Sequence, residues 1–409
     1  MTATRRPFTK SLSVLSSILA IILFNQSFAN DRANSAVVNN AASTNQTSRN
    51  IANHLTKPKI QLAILLDTSS SMDGLIDQAR NQLWQVVNEF STAKQNGIAP
   101  ILEVAVYEYG NDNLSPQHGH TRQVINLTSE LDQVSEALFS LTTNGGNEYC
   151  GYAIGNAVSS LQWSTAQQDI KAIFIAGNEP FTQGPVPFKK AVSNAKLKGI
   201  VVNTIHAGTY EEGAQSGWQQ GAILAGGDYM SINHNQQVAH IIAPQDKKIA
   251  ELNQQLNQTY IPYGSKGIQS VKRQQAQDEK SQAVSLGLLA KRTQSKTSSL
   301  YNNANWDLVD AVESGSVKLD LVKNKDLPPE MKNMDTEHKK VYLETKTRER
   351  TRLKAEITHL GKARNAYVNE KKAEKTSTTT ADNMLDEALI SAVRKQGRNK
   401  NFIFSESTN

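Results

Sequence analysis

Between residues 58 and 245 the apolar positions fall into short runs separated by stretches of helical period. Ile60 to Leu66 is a mostly apolar run ending in Asp67. Beyond Gly74, residues Leu75, Ala79, Leu83, Val86 and Val87 recur near one helical face. The same alternation continues down the chain. Residues 101–109, 121–127, 170–176 and 199–206 read as strands, and a last short strand begins at Gly226. Residues 131–141, 152–161 and 188–197 read as helices, and 236–242 as a closing helix. Apolar strands alternating with helices imply a mainly parallel sheet covered on both faces.

From Asp246 the pattern changes. Ile249, Leu252 and Leu256 keep a helical spacing until Tyr260-Ile261-Pro262-Tyr263-Gly264 interrupts it. Residues 269–296 are rich in Gln and Lys with sparse apolar positions, and Trp306, Leu308, Val309, Val312, Leu319 and Leu321 form the most core-like cluster of this half. Leu327-Pro328-Pro329-Glu330 reads as a helix start, with Met331, Met334, His338 and Val341 at helical spacing and the Met331/Met334 pair as helix packing. Leu353, Ile357 and Leu360 then share one face of a long charged helix. Residues 246–375 are therefore expected to be a helical region, a hairpin or coiled coil, and 376–409 a linker with a short helix over 383–394. The Lys/Arg surplus between Lys339 and Lys375 reads as a solvated helical face. It lacks the interleaved aromatics that single-stranded nucleic acid requires.

The N-terminus accounts for part of the charge. A basic head, Arg5, Arg6 and Lys10, precedes an apolar stretch from Leu12 to Phe24, and Ser27-Phe28-Ala29 supplies small residues where a signal peptidase reads. Residues 1–29 are expected to be a secretory signal and 30–57 a flexible tether, giving a periplasmic or secreted protein with no stable membrane span. Cleavage would lower the formal charge of +6 by three, which weakens any case for nucleic-acid binding. Cys150 is the only cysteine, so no internal disulfide is available, and it reads as a small buried residue.

The chemistry concentrates where the first strand ends. Asp67, Ser69 and Ser71 place one carboxylate and two hydroxyls at the carboxyl edge of a parallel sheet, where open α/β folds bind ligands. This Asp-x-Ser-x-Ser stretch resembles the metal-binding signature of the von Willebrand factor A family. So do the order of elements and the segment from Gly217-Trp218 to Tyr229. The resemblance covers residues 58–245. It implies a doubly wound, mainly parallel sheet of six strands with one antiparallel edge, followed here by a mostly α-helical C-terminal region. It also implies a metal-ion-dependent adhesion site for Mg²⁺ (or Mn²⁺ or Ca²⁺) that binds a protein partner, commonly through an acidic residue.

Two loops depart from the family pattern. Asn147 occupies the position of the second-loop Thr, with Glu148 beside it. In the third loop the Asp position falls on Gly177 or Asn178, and Glu179 follows. The expected metal set is Asp67, Ser69, Ser71, Asn147, Glu148 and Glu179. The expected partner-facing set is Asp73, Asn144 and Asn178. Extra carboxylates would favour a divalent cation and weaken its pull on an acidic partner.

No nucleophile elbow, Walker loop, His-Glu-x-x-His or dinucleotide fingerprint is present. His118 and His120 read as surface loop histidines. The expectation is a non-enzymatic, exported protein-binding module. A metal-independent envelope scaffold recognised through its helical half is the alternative, and a hydrolase using Asp67, Ser69 and His206 a third reading.

Overall fold

The computed structural model describes residues 57–235, 241–376 and 385–404. The expected signal segment, nearly all of the tether, most of the expected closing helix and most of the linker after 376 lie outside them.

The first half runs β1 (Lys59–Asp67), α1 (Asp73–Phe90), β2 (Ala93–Gln95), β3 (Ile101–Tyr109), β4 (Thr121–Thr128), α2 (Leu131–Ser140) and α3 (Cys150–Ser160). It continues through β5 (Ile170–Gly177), α4 (Phe188–Leu197), β6 (Val201–Ala207), α5 (Tyr210–Gln215), α6 (Trp218–Ala225) and β7 (Tyr229–Ile232). Six strands form one sheet in the order β4-β3-β1-β5-β6-β7. All neighbours are parallel except β4, which runs antiparallel to β3 at one edge. Because β1 lies between β3 and β5, the chain winds outward from it in both directions. Its carboxyl end, at Asp67, is the switch point where such folds leave a crevice.

Side-chain alternation in β1 explains its apolar run. Ile60, Leu62, Ile64 and Leu66 join the core on one face, and Ala63 and Leu65 the core on the other. The second core is closed by α3, α4 and Trp218 of α6. The first is roofed by α1, whose buried stripe includes Leu75, Leu83, Trp84, Val87 and Phe90. Each such side chain contributes about 1.5–3 kcal/mol on burial.

The helical half comprises α7 (Asp246–Asn257), α8 (Gly267–Val284), α9 (Leu286–Ser295), α10 (Leu308–Glu313), α11 (Pro329–Lys332), α12 (Thr336–Thr376) and α13 (Leu385–Arg398), then β8 (Phe402–Phe404). It shares the first core: Leu252, Leu256, Leu288, Tyr301, Trp306, Leu353, Ile357, Leu389 and Val393 pack with α1 and the sheet. Helix α13 lies along α1, where Gln78 and Gln82 accept hydrogen bonds from the first backbone amides of α13, Leu385 N (3.3 Å) and Asp386 N (2.9 Å). Strand β8 then pairs antiparallel with β2.

Buried polar groups join the halves at Asp132 and continue through the interior of the helical half. Arg292, fully buried, donates to Asp132 of α2 (2.7 Å) and to Asp278 (2.6 Å), and lies 4.7 Å above the Trp84 ring. Lys296, also fully buried, reaches both Asp278 oxygens at 2.7 Å, and Asn253 and Asn257 at 2.9 Å. Burial pushes Asp278 up, but the two cations outweigh it and hold its carboxyl well below the usual range. The basic surplus of α12 is therefore not all solvated. Arg350 is buried on Asp307, Asp310 and Thr259, and Arg364 on Asp246 at 2.6 Å. Other differences are local. Leu321 is largely exposed, and residues 241–243 are not helical.

Candidate functional site

Three loops meet at the carboxyl end of β1. The first turns sharply after Asp67: Oδ1 accepts from Ser69 N (2.7 Å), and Met72 N returns to Ser69 O (3.1 Å) to start α1. The Ser69 and Ser71 hydroxyls lie 3.4 Å apart. The second loop is strapped to the first by Asn144 N to Thr68 O (2.9 Å), Ser70 N to Gly145 O (3.0 Å) and Gly145 N to Ser70 Oγ (3.0 Å). In the third loop Asn178 Nδ2 donates to Ser71 Oγ (3.2 Å).

These straps bring Glu148 against Asp67. Both carboxyls are almost wholly buried, and they lie side by side against Gly110. Burial, then the Asp67 carboxyl, pushes Glu148 up to about 9. Burial likewise raises Asp67. Two glycines make room for the pair. A Cβ on Gly110 (φ +82°) would lie 2.7 Å from both Asp67 Oδ1 and Glu148 Cγ. One on Gly177 would lie 2.4 Å from Tyr109 Oη and 2.9 Å from Asp67 Oδ2. Helices α1 and α3 begin at this edge, and their N-terminal dipoles favour negative charge there.

The remaining expected residues divide. Asn147 turns away: it is exposed, and its amide donates to Asp112 Oδ1 at 3.4 Å, so the second loop presents Glu148 in its place. Glu179 is half-buried, and its charge acts on Glu148 without contact. Asp73 accepts from Thr143 Oγ1 on the rim, and the Asn144 side chain is exposed. Asn178 reaches the centre, where its Oδ1 is buried without a partner, as is Asp67 Oδ2. The hydrolytic triad is not assembled, because the His206 nitrogens face carbonyl oxygens: Nδ1 that of Thr209 (3.0 Å) and Nε2 that of Asn178 (3.2 Å). His120, expected at the surface, is buried against Tyr149. Among the described residues no three of His, Cys, Asp and Glu gather as a metal site of their own.

The donors at the centre fit a hard divalent cation. They are two carboxylates, two hydroxyls and an amide oxygen, all oxygen, with two orphaned atoms among them. Two buried carboxyls in contact cannot both ionise unless a cation lies with them. Asn178, expected to face a partner, lies at the centre instead, and Gly110 is the contribution missed from the sequence. A glycine directly after strand residue Tyr109 was the available signal.

A family model for the von Willebrand factor type A domain matches residues 61–219. No curated protein matches the chain. Among solved structures, proximal thread matrix protein 1 from the mussel byssus is 14% identical with a TM-score of 0.33, over 43% of this chain and 42% of that one. This chain therefore spans less than half of the byssus protein, which has also been solved with a zinc-occupied MIDAS motif. Conserved hypothetical protein BatB from Bacteroides thetaiotaomicron is 16% identical (TM-score 0.33; 42% of this chain, 90% of that). The SpRpn10 VWA domain is 15% identical (TM-score 0.32; 44% and 90%).

Proposed function

We propose that this chain, whose residues 61–219 carry a von Willebrand factor A-type domain, is a protein-binding module that works through a divalent cation, Mg²⁺ or a related hard ion. Domains of this type mediate protein–protein interaction. The observation that carries the reading is the buried Asp67–Glu148 pair, framed by two glycines and lined by orphaned oxygens. Asp67, Glu148, Ser69, Ser71 and Asn178 would hold the ion. A bound cation supplies the positive charge that lets both carboxyls ionise, and it leaves coordination open to a partner. Asp73 and Asn144, on the rim, would face that partner. The basic head and apolar stretch of residues 1–29 support export to the periplasm or outside the cell. Recovery of an envelope form beginning at Asn30 would test that part.

A metal-independent scaffold is the second reading. It is favoured by the same pair, since Glu148 in its protonated form satisfies Asp67 without an ion. Thermal unfolding of the mature chain with and without millimolar Mg²⁺, for wild type and Asp67→Ala, separates the two. A ligand at a hundred times its dissociation constant adds about 2.7 kcal/mol. A rise in Tm confined to the wild type supports the cation site, and no rise in either protein favours the scaffold.

A further inference from the structure

A cleft of about 540 Å³ opens beside the acid pair, between the ends of β5 and β6 and helix α5. Asn178 forms the wall shared by the two: its side chain bonds Ser71 on one side, and its carbonyl faces His206 on the other (3.2 Å each). The charged group in the cleft is Glu212, held in a capping box. Its Oε2 accepts from Thr209 Oγ1 (2.8 Å) and Thr209 N (3.3 Å), which fixes the side chain and leaves Oε1 without a partner among the described residues. Those bonds hold the Glu212 carboxyl below the usual range. Among the described residues no lysine or arginine lines the cleft. The His206 nitrogens are spent on backbone carbonyls, and Ser216 Oγ donates to Glu212 O (2.7 Å), so neither is available to anchor an anion.

The surroundings reinforce this polarity. A divalent cation held by Asp67 and Glu148 would be neutralised by those two carboxylates, leaving Glu179 beside them and Glu211 and Glu212 in the first turn of α5. The edge would then stay negative with an ion bound, repelling an acidic partner residue and attracting a basic one.

We propose that this cleft seats a cationic side chain, arginine or lysine, of the protein partner, with Glu212 as its counter-ion and Asn178 and Gln215 as polar walls. This rests on the reading that the sheet edge is the partner-binding face, and it departs from the acidic contact that the family resemblance implies.

The test uses the full mature chain and three capped tripeptides, Ac-Gly-Arg-Gly-NH₂, its citrulline isostere and Ac-Gly-Asp-Gly-NH₂, followed by amide NMR shifts in saturating Mg²⁺ and in EDTA. The arginine peptide is expected to move the amides of Gly208, Glu212, Gln215 and Ser216, and the citrulline peptide to leave them. Glu212→Gln keeps an oxygen for the Thr209 cap, and it is expected to weaken the arginine peptide about fivefold, as loss of an accessible ion pair does. Equal effects of arginine and citrulline, binding of the aspartate peptide there instead, or an unchanged affinity in Glu212→Gln would overturn the proposal. Failure of the cation site is read separately. An arginine response that survives in Asp67→Ala and EDTA, with no Mg²⁺-dependent Tm, counts against the cation alone. A Mg²⁺-dependent Tm with no arginine response counts against the cleft alone.

Discussion

Replacing Arg292 by Met tests whether sheet and helical half unfold as one body. The guanidinium is fully buried and makes three contacts: Asp132 at 2.7 Å, Asp278 at 2.6 Å and Gln274 O at 3.0 Å. Met fills most of the volume over Trp84 but leaves two buried carboxylates short of a partner. Removing one member of a buried pair costs about 3–5 kcal/mol. Here the lower part of that range is expected, because Asp278 keeps Lys296 and Asp132 keeps the Tyr301 hydroxyl. At the average unfolding entropy per residue, a loss of about 3–4 kcal/mol over a body of this size lowers Tm by roughly 4–6 °C. Calorimetry should show a single transition moving by that amount. Because Asp132 belongs to the sheet half and Arg292 to the helical half, Arg292→Met with Asp132→Asn should cost clearly less than the two separate losses added together. Two transitions, with only the later half of the chain moving, would refute the shared-core reasoning. So would strict additivity.

Three further outcomes follow from named contacts. Asp278 is held below its unfolded value, so its stabilisation is complete above about pH 4 and is lost as pH falls toward the folded value; Asp278→Asn should flatten the acid limb of a Tm-versus-pH series run from pH 5 to 2. Gly177→Ala forces a Cβ onto Tyr109 Oη and should cost about 1–3 kcal/mol in urea unfolding, together with any Mg²⁺ response. Glu148→Gln keeps the shape of the acid pair while removing one carboxylate. Its Tm in EDTA should match wild type, whereas the rise on adding Mg²⁺ should disappear.

The sheet was legible because its signals are local and apolar. Residues 60–66 alternate into two cores, and the strand, Asp67-x-Ser69-x-Ser71 turn and α1 are contiguous, so the order of elements followed directly. The second loop was harder. In Thr142 to Gly151 a one-residue register change decides whether Asn147 or Glu148 faces Asp67, and only the straps from Asn144 and Gly145 settle it. The helical half was least legible because hydrophobic periodicity does not report a polar interior. Gln274, Asp278, Arg292, Lys296 and Arg350 look like solvated positions in sequence, yet they are buried by partners that are often more than a hundred residues away or on another helix. Strands β2 and β8 are three residues each, too short to announce a pairing across the length of the chain.

Asp67 and Glu148 are expected to hold a divalent cation together. Crystals of residues 30–409 soaked in Mn²⁺, with data collected for the metal's anomalous signal, would show it. One strong anomalous peak is expected, bounded by the Asp67 and Glu148 carboxylates and the Ser69 and Ser71 hydroxyls and absent from Asp67→Ala crystals. Density showing the two carboxyls still bonded to each other, with no peak between them at saturating Mn²⁺, would contradict it.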